Sequence, residues 1–259
     1  MNRRNFLAAG LAGMAATQTL TGAESQPASS ARQFFEWRQY HLRTGSARNR
    51  VGDFLRQAGI AAMNRIGIKP VGVFEAVYGP NQPTLHVLLV HPSLESVLNM
   101  SSRLMEDDEL RQKGAGFIDA TLSDPGYVRC ESSIMAAFTH MPQLEAPPLK
   151  NRIFELRTYE GHSVKANKKK IEMFNEGGEI ALFKETGLTP VFFGETLIGP
   201  KRPNLTYMLV FEDMVDRDKR WQVFVNSPGW KRMSRDPAYK DTVSNITDII
   251  LRPAAYSQI

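Results

Sequence analysis

The same pattern of residues occurs twice in this chain, about 120 positions apart, and that repetition constrains the fold more than any other feature. Phe34-Phe35-Glu36-Trp37-Arg38-Gln39-Tyr40 aligns with Ile153-Phe154-Glu155-Leu156-Arg157-Thr158-Tyr159, sharing Phe, Glu, Arg and Tyr in register. Gly67 to Val90 aligns with Gly187 to Val210 without a gap. Gly67/Gly187, Pro70/Pro190, Val71/Val191, Glu75/Glu195, Gly79-Pro80/Gly199-Pro200, Pro83/Pro203, Leu85/Leu205 and Leu89-Val90/Leu209-Val210 coincide. A shared fold constrains hydrophobicity, not the identity of a glutamate or of a Gly-Pro pair, so the match points to duplication of one unit.

Each copy parses into the same elements. Phe35, Trp37 and Gln39 alternate with Glu36, Arg38 and Tyr40, the period of a strand with two unlike faces. Val51, Phe54, Leu55, Ala58, Ala62 and Ile66 share one helical face, and Gly67 closes the run; Ile171, Phe174, Gly178 and Leu182, stopped by Gly187, predict the equivalent helix. Val71 to Tyr78 and Leu85 to His91 read as a hairpin joined through Gly79-Pro80-Asn81-Gln82-Pro83, matched by Val191 to Ile198 and Leu205 to Phe211. A second helical region and a last strand follow: Leu94 to Phe117 with Tyr127 to Phe138, and Arg217 to Met233 with Asn245 to Leu251. The order is β-α-β-β-α-β twice, an α+β class of two tandem ferredoxin-like units over residues 34–138 and 152–259, with a Pro-rich linker at 139–151. Each such sheet leaves one face open, so the two are expected to pack together and close a barrel within one molecule.

Composition narrows the function. A single cysteine, Cys130, excludes an intramolecular disulfide framework and any multi-cysteine metal site; in a predicted strand it is expected to be a buried, inert thiol. The formal charge of +5 comes from 32 basic and 27 acidic residues that are interspersed, without the basic aromatic stripe of a nucleic-acid binder. Residues 1–23 read as a signal peptide. Arg3-Arg4 before Asn5-Phe6-Leu7 resembles the bacterial twin-arginine export signal, which implies a periplasmic or secreted protein. Leu7 to Leu20 is too short and too rich in Ala, Gly and Thr to span a bilayer, so no membrane association is expected after cleavage. Without Arg3 and Arg4 the basic count falls from 32 to 30 and the formal charge to +3. Residues 24–33 read as a tether.

The tract Phe192-Phe193-Gly194-Glu195-Thr196-Leu197-Ile198-Gly199-Pro200, followed by Pro203-Asn204-Leu205-Thr206-Tyr207-Met208-Leu209-Val210-Phe211-Glu212-Asp213-Met214 and by Ser227-Pro228-Gly229-Trp230-Lys231, resembles the NIPSNAP domain. Glu155-Leu156-Arg157-Thr158-Tyr159 fits its opening. The first copy keeps Glu36-Trp37-Arg38 and Gly79-Pro80, but has Asp107-Asp108-Glu109-Leu110-Arg111 where the Ser-Pro-Gly-Trp-Lys segment stands in the second. The resemblance implies a dimeric α/β barrel, here assembled inside one chain, and no established enzymatic activity. Wider barrel relatives include cofactor-free monooxygenases and haem enzymes, so the fold alone settles no chemistry.

If the apolar residues of each first strand face the helices, Glu36, Arg38 and Tyr40, like Glu155, Arg157 and Tyr159, point into the space between the sheets. With Glu75 and Glu195 they form the candidate pocket, in which arginine would bind an anion or carbonyl. The competing reading is a set of structural ion pairs fixing the docking of the two copies, favoured because a binding constellation is needed once whereas an interface element recurs by symmetry. His41, His86, His91, His140 and His162 make no zinc spacing, and His86 and His91 fall on opposite faces of one strand. Lys168-Lys169-Lys170 reads as a solvated helix face, and Trp221, Phe224 and Trp230 as a packing cluster. No cofactor is expected. The expected role is non-enzymatic binding of a small ligand or a protein partner; a cofactor-free oxygenase or isomerase and a haem-associated barrel are the alternatives. A homo-oligomer is an allowed state.

Overall fold

The computed structural model describes residues 31–43, 49–78, 82–148 and 150–259. The export-signal reading, most of the tether, and the first hairpin's Gly79-Pro80-Asn81 lie outside the described residues. The first repeat runs β1 (Phe34–His41), α1 (Arg50–Phe54), a π-helical turn (Leu55–Gly59), α2 (Ile60–Arg65), β2 (Val71–Ala76), β3 (Thr84–His91), α3 (Leu94–Met105), α4 (Asp108–Ile118) and β4 (Arg129–Ala137). The second runs β5 (Ile153–Glu160), α5 (Val164–Phe174), α6 (Glu179–Glu185), β6 (Thr189–Ile198), β7 (Asn204–Phe211), α7 (Met214–Asn226), α8 (Pro228–Met233) and β8 (Asn245–Pro253).

All eight strands join one closed antiparallel barrel in the order β1-β3-β2-β8-β5-β7-β6-β4. Each repeat contributes a four-stranded sheet, and two seams close the ring. At one, Phe74, Glu75 and Ala76 pair with Pro253, Arg252 and Leu251; at the other, Gly194, Glu195 and Thr196 pair with Ala137, Ala136 and Met135. The two sheets therefore share hydrogen bonds as well as side-chain contacts. Gly194 is required at its seam, because a Cβ there would sit 2.8 Å from that of Met135.

Three apolar layers follow from the alternation. Phe35, Trp37, Phe74, Leu88, Met135, Phe154, Phe192, Met208 and Leu251 point inward and mix side chains of both repeats. Outside the first sheet, Val71, Val73, Leu85, Val87 and Leu89 pack under α1, the π-helical turn, α2 and α3 through Val51, Leu55, Ile60, Met63 and Met100. Outside the second, Phe193, Leu205, Tyr207 and Leu209 meet Phe174, Phe183 and Phe224, with Trp221 and Trp230 on that cluster as expected. Strands β3 and β7 are buried on both faces, so their sequences show no alternation. At about 1.5–3 kcal/mol for each fully buried large side chain, the shared interior is a major part of what holds the halves together.

Two local expectations are corrected. The single helix expected from Ile171 to Leu182 is broken at Asn175–Gly178, where Gly178 takes φ +85 and starts α6; the first copy continues through its π-helical turn instead. Asn175 holds the break, donating to Ile171 O and accepting from His140 N. The second helical regions each split in two, with Asp107 capping α4 and Ser227 capping α8.

Candidate functional site

The faces of the first strand of each repeat are the reverse of those expected. Phe35, Trp37 and Gln39 look into the barrel, and Glu36, Arg38 and Tyr40 look out beneath the helices. Glu36 Oε1 accepts from Arg38 Nε at 2.8 Å and Ser132 Oγ at 2.6 Å, with His91 Nε2 3.5 Å from Oε2. Arg38 also donates to Tyr40 Oη at 3.2 Å. Burial alone would raise the Glu36 carboxyl, but His91, Arg38 and Ser132 outweigh it and hold it at about 2. In the second repeat, Glu155 accepts from Arg157 at 2.8 Å, Arg217 at 2.6 Å and Trp221 Nε1 at 2.7 Å, while Tyr159 and Tyr207 join hydroxyls at 2.9 Å. Glu195 lies 3.6 Å from Lys168, and Glu75 is exposed on β2. The eight residues expected to converge between the sheets thus lie on the outer side; the Glu-Arg-Tyr sets stay within each repeat, while the backbones of Glu75 and Glu195 pair across the two seams. Cys130 is exposed, near the barrel end where β4 begins.

A cavity of about 450 Å³ occupies one end of the barrel interior. It lies where β1, β2, β5 and β6 end and β3, β4, β7 and β8 begin. The opposite end is filled by Phe35, Val90, Ala137, Phe154, Phe192, Val210 and Ile259. One wall, from the first repeat, carries Trp37, Gln39, His41, Thr84, His86, Glu131 and Met135; the other carries Leu156, Thr158, Thr196, Asn204, Thr206 and Ile249. Trp37 and His86 stack with centroids 5.4 Å apart, and Phe74 extends the aromatic surface 6.0 Å beyond Trp37. On the second wall the polar groups satisfy one another: Thr158 with Thr206 at 3.0 Å, Thr196 with Asn204 at 2.6 Å. At the rim, His41 Nε2 lies 2.8 Å from Glu131, which also meets Arg129 at 3.0 Å.

His86 is the chemically distinctive group of the lining. It is 3% exposed, and its Nδ1 has no hydrogen-bond partner. Burial, reinforced by His41 nearby, pushes its imidazole down to about 4, so the ring is neutral over the physiological range. Under the internal repeat His86 corresponds to Thr206, Trp37 to Leu156 and Gln39 to Thr158. The lining has diverged between the copies while Glu-Arg-Tyr beneath the helices has been kept. The residues missed from sequence were therefore signalled by where the repeats differ, not by where they agree. Among the described residues no group of three His, Cys, Asp or Glu side chains is placed to hold a metal ion.

Fold and cavity together define a tandem-repeat α/β barrel, with one closed sheet, helices outside, and an interior that the described residues fill at one end and leave hollow at the other. Two solved structures share the fold. A candidate monooxygenase from Fusobacterium nucleatum superposes with a TM-score of 0.55 at 10% identity, covering 86% of this chain and 93% of that one. An anthrone oxidase-like protein gives 0.54 at 9%, covering 87% and 93%. A NIPSNAP-like domain protein from Burkholderia xenovorans is 23% identical over 42% of this chain and 90% of its own, with a TM-score of 0.38. No curated protein matches. The chain belongs to the NIPSNAP family, whose profile matches residues 35–121 and 154–258, one match in each repeat.

Proposed function

We propose that this NIPSNAP barrel binds a small organic molecule in the cavity at its open end. The observation that carries the reading is the cavity itself: about 450 Å³, within the size range of ligand pockets, and lined differently by two otherwise matching repeats. A purely structural interior would be expected to fill both ends alike, as the closed end is filled. Binding without turnover is favoured because the polar groups of the second wall are engaged with one another. A cofactor-free enzyme is the second reading, favoured by the rim pair His41–Glu131, which could orient an imidazole for proton transfer. Thermal stabilisation of the full chain across a panel of small molecules tests the first reading: ligands that raise Tm in wild type but not in Trp37→Ala support it, and a flat response across the panel removes it. A Soret band in purified protein would replace both readings with a haem role.

We further propose that the chain acts outside the cytoplasm. Arg3-Arg4-Asn5-Phe6-Leu7 and the small-residue end Thr21-Gly22-Ala23 support export. Cell fractionation of a bacterial host tests it; wild type in the periplasm and Arg3→Lys/Arg4→Lys retained in the cytoplasm is the expected result.

A further inference from the structure

The cavity's chemistry specifies more than a size. Its deep surface is apolar and aromatic, from Trp37, Met135, Leu156 and Ile249. The cations of the lining face carboxylates: Arg129 lies 3.0 Å from Glu131, and Lys201 3.9 Å from Glu160. Thr158, Thr206, Thr196 and Asn204 are hydrogen-bonded among themselves. Of the described residues with a buried side-chain atom that lacks a partner, His86, through its Nδ1, is the one that lines this cavity. An unpaired buried nitrogen costs stability unless a ligand pairs with it.

Resting on the reading of the barrel end as a ligand site, we infer that its ligand is a neutral, flat aromatic molecule bearing a hydroxyl or carbonyl oxygen. The oxygen pairs with His86 Nδ1, and the ring lies against Trp37 and the aliphatic side chains. A neutral imidazole suits either oxygen, accepting from a hydroxyl as one tautomer and donating to a carbonyl as the other. An anionic ligand is disfavoured, because it would lose its hydration and, among the described lining residues, meet no cation that lacks a carboxylate. Aromatic rings fit the flat wall that the stacked Trp37 and His86 present.

Titration calorimetry of the full chain at neutral pH with naphthol, acetonaphthone, naphthalene, naphthoate and decanol tests the inference. Naphthol and acetonaphthone are expected to bind about tenfold more tightly than naphthalene, the worth of one well-made buried hydrogen bond, and naphthoate more weakly than either. His86→Leu is expected to abolish that preference while leaving naphthalene binding in place, and His86→Asn, which returns a polar atom to the site, to restore part of it. Should His86→Leu fail to fold, a preference in His86→Asn smaller than in wild type supports the inference, and an undiminished one overturns it. Naphthoate as the tightest ligand, or a preference for naphthol that survives His86→Leu, overturns the inference. Decanol binding without the aromatic probes overturns it while sparing the cavity reading; no binding by any probe removes both.

Discussion

Lys170 Nζ stands 2.7 Å from Glu179 Oε2 with both side chains buried, the ammonium lying over the rings of Phe174, Tyr159 and Trp230. The last lysine of a triplet that reads as a solvated face is thus an internal charge. Burial raises the Glu179 carboxyl by more than Lys170 lowers it. Replacing Lys170 by Met leaves that carboxylate buried and alone, and is expected to cost about 3–5 kcal/mol of stability at neutral pH. A carboxyl whose folded value is raised contributes stability below its unfolded value and loses it as pH rises. The Lys170→Met deficit should therefore shrink as pH falls toward 4.5, the ordinary carboxyl value; urea unfolding at both ends of that range checks it.

Glu36 titrates the opposite way. Its carboxyl is depressed from 4.5 to about 2, so the stability it contributes is present above 4.5 and is lost as pH falls through about 2. Glu36→Gln is expected to lower unfolding free energy by roughly 3–4 kcal/mol at neutral pH, the equivalent of that shift. The difference from wild type should vanish at the acid end of a pH series of chemical denaturation.

The seams predict that neither repeat is self-sufficient. Residues 152–259 expressed alone would expose Phe154, Leu156, Phe192, Met208, Val210 and Leu251, together with the unpaired edges of β6 and β8. That fragment should self-associate or aggregate, and light scattering should find no stable monomer. A monomeric, cooperatively folded fragment would contradict the shared-core account.

Filling the cavity should separate binding from folding. Thr206→Phe places a ring opposite His86 in open space, and is expected to change stability by no more than about 1–2 kcal/mol, the cost of one broken hydroxyl pair. Affinity for naphthol should fall at least about tenfold. Unchanged affinity in a folded Thr206→Phe protein would move the binding site elsewhere.

The repeats, their element order and the family were legible because duplicated glycines, prolines and strand patterns recur in register. The candidate site was not. Period two in Phe35 to Tyr40 identifies two faces without saying which is inside, and in a barrel wrapped by helices both faces are buried. Polarity misdirected the assignment: Glu36, Arg38 and Tyr40 sit under the helices because His91, Ser132 and Met100 supply partners there. The same limit applies to Lys170, whose partner Glu179 lies across a helix break at a place where the spacing of Ile171, Phe174, Gly178 and Leu182 reads as one continuous helix.

What the sequence by itself determined is a β-α-β-β-α-β unit used twice in a NIPSNAP chain, since local periodicity and repeated identities need no knowledge of distant contacts. Only the tertiary structure decided that the two sheets share edge hydrogen bonds, that the described residues fill the barrel at one end and leave a cavity at the other, and that His86 lines that cavity with its Nδ1 unpaired. Those outcomes depend on side-chain volumes meeting across the axis from both repeats. Trp37 stands opposite Leu156 in the internal symmetry and His86 opposite Thr206, differences that a one-dimensional pattern records but cannot assign to a face.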